Sequence, residues 1–383
     1  MDHIDAMRPL KQVGVVSTHA LLAFAPGASL AVGGSLMLLH VTREAFLFVS
    51  SCMLTYSYRA LAASALGRFF WRRFVAVGIP YLCWTAIYFG ITYRAGRGWG
   101  GELGHLGYLV GTGYYQLYYL LVIMEFYLVF PVLLAVLRRT ARHGRILAVS
   151  ALAQVVLVSL MHWNVLPPQM RGFWATRELT SYEFYLIAGM VVALHLDEVH
   201  RWLCDHVRLL LGVTLAGAVV AEVWFVLAAR GVLGWLGSSS DPFQPVVIPF
   251  NVGAIASIYI LGVVLVDRRR SATLRAVVRS GSDNSYGVYL AQMVFILALG
   301  GLGWGHVTTV VPWPILSVLT VALVFGACVL LTSVLARTAL SKPLTGRARV
   351  PWASWLPAAA RRRRAETPGE TAVAPPLAGP IGS

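Results

Sequence analysis

Charge is what this sequence lacks. Only 12% of its 383 residues are charged, about half the share carried by a soluble globular domain, while 58% are hydrophobic and the mean hydropathy is +0.70. A soluble chain of this length divides into two or three domains. Here apolar segments long enough to cross a hydrocarbon layer of ~30 Å recur along nearly the whole chain. Cysteine is scarce as well. Cys52, Cys83 and Cys328 sit in apolar stretches and Cys204 in a loop, at spacings that make neither a zinc site nor a disulfide framework. They read as small buried hydrophobes, and no metal site is expected. No internal repeat is visible, inverted repeats included. No cleavable signal peptide is expected either, because Arg8 and Lys11 precede a first apolar span without a small-residue cleavage site.

Acidic residues are the rarer sign: 16 against 31 Lys and Arg, for a net charge of +15 and a pI near 10.1. In a soluble protein that excess would point to nucleic acid. The arginines instead fall in short loops between apolar spans, which is how a membrane protein encodes orientation, so no nucleic-acid partner is expected. Windows of about 19 residues place ten spans near 12–27, 34–58, 74–93, 113–137, 146–162, 181–196, 208–229, 246–266, 284–303 and 313–336. With these boundaries 25 of the 31 Lys and Arg collect on one side. Opposite them lie only Arg94, Arg97, Arg171, Arg177 and Arg230, with Arg43 inside the second span. The expectation is an all-α membrane protein, a polytopic bundle of about ten transmembrane helices over residues 1–340. It would lie among the lipids of the cell (inner) membrane with both chain ends in the cytoplasm. Residues 341–383, rich in Pro, Ala and Arg and carrying the run Arg361 to Arg364, read as a disordered basic cytoplasmic tail.

Ionisable side chains within the spans ask for a reason, since each costs several kcal/mol in hydrocarbon. They are His19, His40, Arg43, Glu44, Glu125, Glu183 and Glu222. Arg8 and His19 are eleven residues apart, a displacement of about 1,100° that returns them to one helix face, with His19 roughly 16 Å deeper. His40 and Glu44 also share a face with Arg43 beside them, as a helix clamp or a catalytic group. Glu125 has no basic neighbour within a turn and must be protonated or meet a cation on another helix, for which His19 and Arg43 are the candidates. A lone histidine on an apolar helix also serves as a packing residue, and His19 alone decides nothing.

Arg8, ten intervening residues and His19 resemble the Arg and His signature of the acyltransferase family 3 membrane proteins. "REAFLFVSSCMLTYSYR" is similar to that family's second helix, with Ser50 and Ser51 where a Ser-Gly pair is usual. "RFFWRRFVAVGIPYLCWTAIY" resembles the basic start of the third helix through Arg72, Arg73, Pro80 and Tyr81. "YYQLYYLLVIMEFYLVFPVL" looks like the fourth helix, closest to the intercellular-adhesin O-acyltransferase branch. "NSYGVYLAQMVFI" resembles the ninth, with Gln292 where many members carry histidine.

The resemblance implies transfer of an acyl group, commonly acetyl or succinyl, from a cytoplasmic acyl-CoA to a hydroxyl of a carbohydrate, glycolipid or metabolite. Acyl-CoA would be a donor substrate, with no permanently bound cofactor. A hydroxyl attacking a thioester needs a base of near-neutral pKa, which suits His19. Glu125 could orient that imidazole, and Arg43 could meet the developing oxyanion. Arg8, Arg68, Arg72 and Arg73 at the basic mouth suit coenzyme A phosphates, or serve orientation alone. The alternatives are an exporter or flippase of a glycan or lipid-linked sugar, and a non-catalytic membrane subunit.

Overall fold

The computed structural model describes residues 2–27, 29–93, 98–170, 174–233, 243–267 and 272–352. Among them the regular elements are all helices. In chain order they are α1 (Asp2–Phe24), α2 (Leu30–Leu39), α3 (Val41–Tyr58), α4 (Leu66–Thr92), α5 (Gly98–Thr112), α6 (Tyr118–Arg139) and α7 (His143–His162). There follow α8 (Glu183–Leu194), α9 (Leu196–Asp205), α10 (Val207–Ala229), α11 (Ile248–Asp267), α12 (Ala272–Gly301), α13 (Trp313–Leu335) and α14 (Ser341–Thr345). The protein is an all-α membrane protein. Seven helices are long and apolar enough to cross a bilayer, or eight if the bent pair α8–α9 counts as one span. The expected number of ten is therefore not established by length and composition. The two long helices that fall outside this set are α1 and α12, which carry Arg8, Lys11, Gln12 and His19, and Asp283, Asn284 and Gln292, along their length.

Three local features depart from the expected spans. The second span is two helices, α2 and α3, that meet at His40. Its ring Nδ1 donates to the Leu36 carbonyl, and the Thr42 hydroxyl donates to the Leu39 carbonyl at 2.9 Å, so side chains serve the backbone at the break. The sixth span turns by 100° at His195. Beyond that bend α9 carries Asp197, Glu198 and Arg201, which keep it out of a hydrocarbon interior. Helix α5 lies between the expected third and fourth spans; its 15 residues reach only about 22 Å, too short to span.

Helix α1 is the hub, packed against α3, α11, α12 and α13, while α3 packs on α8, α8 on α7, α6 on α4 and α10 on α11. The α3–α8 crossing explains the serine at the position where the resemblance calls for glycine. A Cβ built on Gly189 of α8 would collide with the Ser51 Oγ and the Phe48 carbonyl. The small residue that permits close approach is supplied by the facing helix. Ser51 itself is buried, its hydroxyl donating to Phe48 O at 3.0 Å.

The expected disordered tail is corrected in its first part. Residues 341–352 pack back onto the bundle: Trp84 Nε1 donates to Leu344 O at 3.0 Å, the Ser341 hydroxyl donates to Arg347 O at 2.9 Å, and Ser341 and Thr345 are buried. Helix α14 with Gly346 in the left-handed region (φ 67°) turns the chain under Tyr286. Sequence composition missed this because few apolar residues are needed when an existing tryptophan and tyrosine supply the surface. The remainder of the tail, including Arg361 to Arg364, lies outside the described residues, as do Arg94, Arg97, Arg171 and Arg268 to Arg270.

Gly189→Ala forces an overpacked helix crossing that costs about 1–3 kcal/mol. We expect it to lower the melting temperature of the detergent-solubilised protein, whereas Gly78→Ala, whose Cβ would meet nothing nearer than 4.0 Å, leaves it unchanged.

Candidate functional site

Two cavities lie end to end along the same four helices, α1, α3, α6 and α12. The first, about 430 Å³, is at the end of the bundle that carries most of the arginines. Helix α1 gives it Arg8, Lys11 and Gln12; α3 gives Val49, Ser50, Met53 and Ser57; α6 gives Ile123, Phe126 and Tyr127; α12 gives Ser282, Asp283 and Tyr286. Arg73 of α4 and Arg347 of the packed C-terminal segment complete it. Four cations thus face one space. Arg8 lies 3.5 Å from Asp5 one turn back, and Arg347 holds the Asp283 carbonyl at 2.6 Å and its carboxylate at 3.5 Å. Arg73 lies over the Tyr58 ring, 4.6 Å from its centroid, which fixes the guanidinium plane. Lys11 is buried and, among the described residues, has no acidic partner within ion-pair distance.

The second cavity, about 310 Å³, is the deeper one along α1. It takes Val15, Thr18, His19 and Leu22 from α1, then Thr42 and Arg43 from α3 beside His40. Tyr118 and Tyr119 come from α6 and Tyr289 from α12, and Tyr115, Gln116, Thr176 and Arg177 close the far end. The helical stripes are continuous: residues 8, 11, 12, 15, 18, 19 and 22 run down one face of α1 through both cavities. The face shared by Arg8 and His19, expected from their spacing, is therefore present, with Arg8 in the basic cavity and His19 in the deeper one.

Arg43 is buried and reaches Glu44 Oε1 at 3.4 Å, with its guanidinium 4.7 Å from the Phe243 ring centroid. The pair is charge-balanced, and the guanidinium keeps further N–H donors on the cavity wall. His40 donates Nδ1–H to a backbone carbonyl, which makes Nε2 its basic nitrogen. Three other expected residues fall elsewhere. Arg68 and Arg72 are exposed and line a shallow cleft of about 320 Å³ that joins the basic cavity at Ser57. Glu125 lines neither cavity. It lies on the other side of α6 from Ile123 and Tyr127, where Oε2 accepts the Leu179 N–H at 3.1 Å. The expected partnership of Glu125 with His19 or Arg43 is thus corrected: it is met instead by the backbone of the turn before α8. Glu183 accepts from the Ser150 hydroxyl at 2.6 Å, and Glu222 packs against Gly34. Gln292 is buried beneath Tyr289, outside both cavity walls. Among the described residues no cluster of His, Cys, Asp and Glu is arranged to hold a metal ion.

A family model described as an acyltransferase domain, that of acyltransferase family 3, matches residues 1–332. The chain belongs to this family. No curated protein and no solved structure matches it. Its general activity is that of a membrane acyltransferase, and the deeper cavity of this acyltransferase holds residues that sequence reading passed over. Arg177 had been counted only as a loop arginine of the charge-poor side. It donates from Nε to Thr112 O and from Nη1 to the Thr176 hydroxyl, each at 3.0 Å, and lies over Tyr118 at 4.9 Å. Tyr115 has a left-handed backbone (φ 44°), and its half-exposed ring packs on His19 with centroids 5.4 Å apart. A strained non-glycine residue held against a candidate catalytic ring is a signal that only coordinates provide.

Tyr115→Gly removes that ring and relieves a backbone strain on the order of 1–3 kcal/mol. Thermal stability should stay level or rise, while acyl transfer falls by about tenfold through loss of positioning. Transfer at the wild-type rate would show that the ring does not orient His19.

Proposed function

We propose that the protein transfers a small acyl group, acetyl or succinyl in type, from acyl-CoA to a hydroxyl of a carbohydrate, glycolipid or metabolite. The donor occupies the basic cavity. Arg8, Arg73 and Arg347 meet its phosphates, with Arg68 and Arg72 extending the positive field along the adjoining cleft. The basic end faces the cytoplasm of a cell whose inner membrane holds the protein, as the positive-inside rule requires. The acceptor occupies the deeper cavity, where four tyrosines, Tyr115, Tyr118, Tyr119 and Tyr289, line the space for a sugar.

His19 takes the acceptor hydroxyl proton as its oxygen attacks the thioester carbonyl. Arg43 donates to the oxyanion that forms. As the intermediate collapses the C–O bond remains, the C–S bond breaks, and the imidazolium returns its proton to the departing CoA sulfur. The observation that carries this scheme is the single face of α1, which lines the basic cavity with Arg8 and the deeper one with His19.

His19→Ala should express and purify like wild type and lose transfer from labelled acyl-CoA by about 10²–10⁴-fold, the range of a general base. An unchanged rate contradicts the scheme. Arg73→Gln should raise the KM for acyl-CoA about tenfold, as expected for a lost charge-assisted contact, with kcat nearly constant.

A further inference from the structure

Among the described residues Phe46 is the one side chain that lines both cavities. One group from each of the other three shared helices closes on its ring. The Lys11 ammonium of α1 sits 3.6 Å from the ring centroid, Tyr289 of α12 stacks at 5.4 Å with planes 27° apart, and Tyr119 of α6 is tilted at 6.0 Å. Tyr289 is itself fixed by donating its hydroxyl to the Gln116 carbonyl. Lys11 is fixed by nothing comparable. It is buried, lies on the basic-cavity wall beside Arg8, and takes the π-face in place of a carboxylate.

We propose that Phe46, held by Lys11, is a partition between the donor and acceptor chambers, and that the acyl thioester reaches His19 only when this ring moves aside. This rests on the assignment of the basic cavity to acyl-CoA and of the deeper one to the acceptor. The physical logic is protection. A thioester open to the aqueous acceptor chamber would be hydrolysed, since water would compete with the acceptor hydroxyl for the same base. With the ring in place, the donor is loaded against an aromatic wall. Lys11 is a positioning residue: it acts on the ring, and it is the group in that wall that a donor phosphate or carbonyl would draw away, because no acid among the described residues holds it. Arginine at this position would keep both the charge and the stacking, whereas methionine would keep only the length.

The partition can be tested without relying on catalysis. Thr18, on the wall of the deeper cavity, is replaced by cysteine in a Cys83→Ser, Cys204→Ser background, leaving only the buried Cys52 and Cys328. Sulfonatoethyl methanethiosulfonate, a small anionic and membrane-impermeant thiol reagent suited to a basic vestibule, is added to the basic side of sealed vesicles. We expect negligible modification with Phe46 present and modification at least about tenfold faster with Phe46→Ala, because a closed site has been opened to water. Phe46→Leu should be intermediate and guards against a folding failure of the alanine variant. Lys11→Met should raise the rate and Lys11→Arg restore it. Equal modification of all variants overturns the partition. In parallel, acetyl-CoA hydrolysis without acceptor should rise in Phe46→Ala relative to wild type. If the cysteine responds as expected but acetyl-CoA is turned over by no variant, the partition stands and the donor assignment falls.

Discussion

A polar side chain in hydrocarbon must meet a partner or face a water-filled space, and the architecture of this protein follows from that constraint. Arg8, Lys11, Gln12, Thr18 and His19 of α1, Thr42, Arg43, Ser50 and Ser57 of α3, and Ser282, Asp283 and Ser285 of α12 line the two cavities. Other polar groups meet a neighbouring helix instead, as Asn284 does with the Thr332 hydroxyl and Ser51 does at the α8 crossing, and α1 and α12 are too polar to pass as ordinary spans. Away from that axis the bundle is sheathed in apolar side chains. Leu128 and Val132 of α6 and Leu209, Leu211, Leu215, Val219 and Val220 of α10 are exposed in the isolated chain, as lipid-facing residues are. Two carboxylates that lie off the axis are met locally, Glu125 by a backbone amide and Glu183 by the Ser150 hydroxyl.

Much of this was legible in the sequence, and the rest has a physical reason for being hidden. Periodicity put Arg8 and His19 on one face because α1 carries enough polar residues to have a face. Helix α6 is apolar nearly all round, so nothing in its sequence says which side turns inward, and Glu125 was assigned to the interior on its charge alone. Ser51 looked like a departure from the family pattern, but the matching glycine is Gly189 on the facing helix, and single-sequence reasoning cannot see across a helix pair. Arg347 was read with a disordered tail because its segment has little apolar material. It is held by Asp283 and the Trp84–Leu344 contact instead. Phe46 was visible only as one member of an aromatic run, and its role depends on three other helices.

The two-chamber layout also accounts for the uneven spread of charge along the axis. The basic end gathers Arg8, Lys11, Arg73 and Arg347 around a space with Asp283 as the one lining carboxylate among the described residues, a field that concentrates a polyanion. The deeper chamber is lined by Arg43, which pairs with Glu44 outside the lining, together with Arg177, two histidines and aromatic rings. Such a lining suits a polar, largely uncharged acceptor better than a phosphate-rich donor. The division of substrates proposed for the two chambers thus rests on electrostatics before it rests on catalysis.

The most direct test is electron cryo-microscopy of the protein with S-acetonyl-CoA, a thioether analogue that cannot transfer its acyl group. The account predicts the nucleotide among Arg8, Arg73 and Arg347, with the acetonyl end pointing along α1 toward Phe46 and His19. A nucleotide bound in the tyrosine-lined chamber, or a basic cavity left empty at saturating analogue, would contradict it.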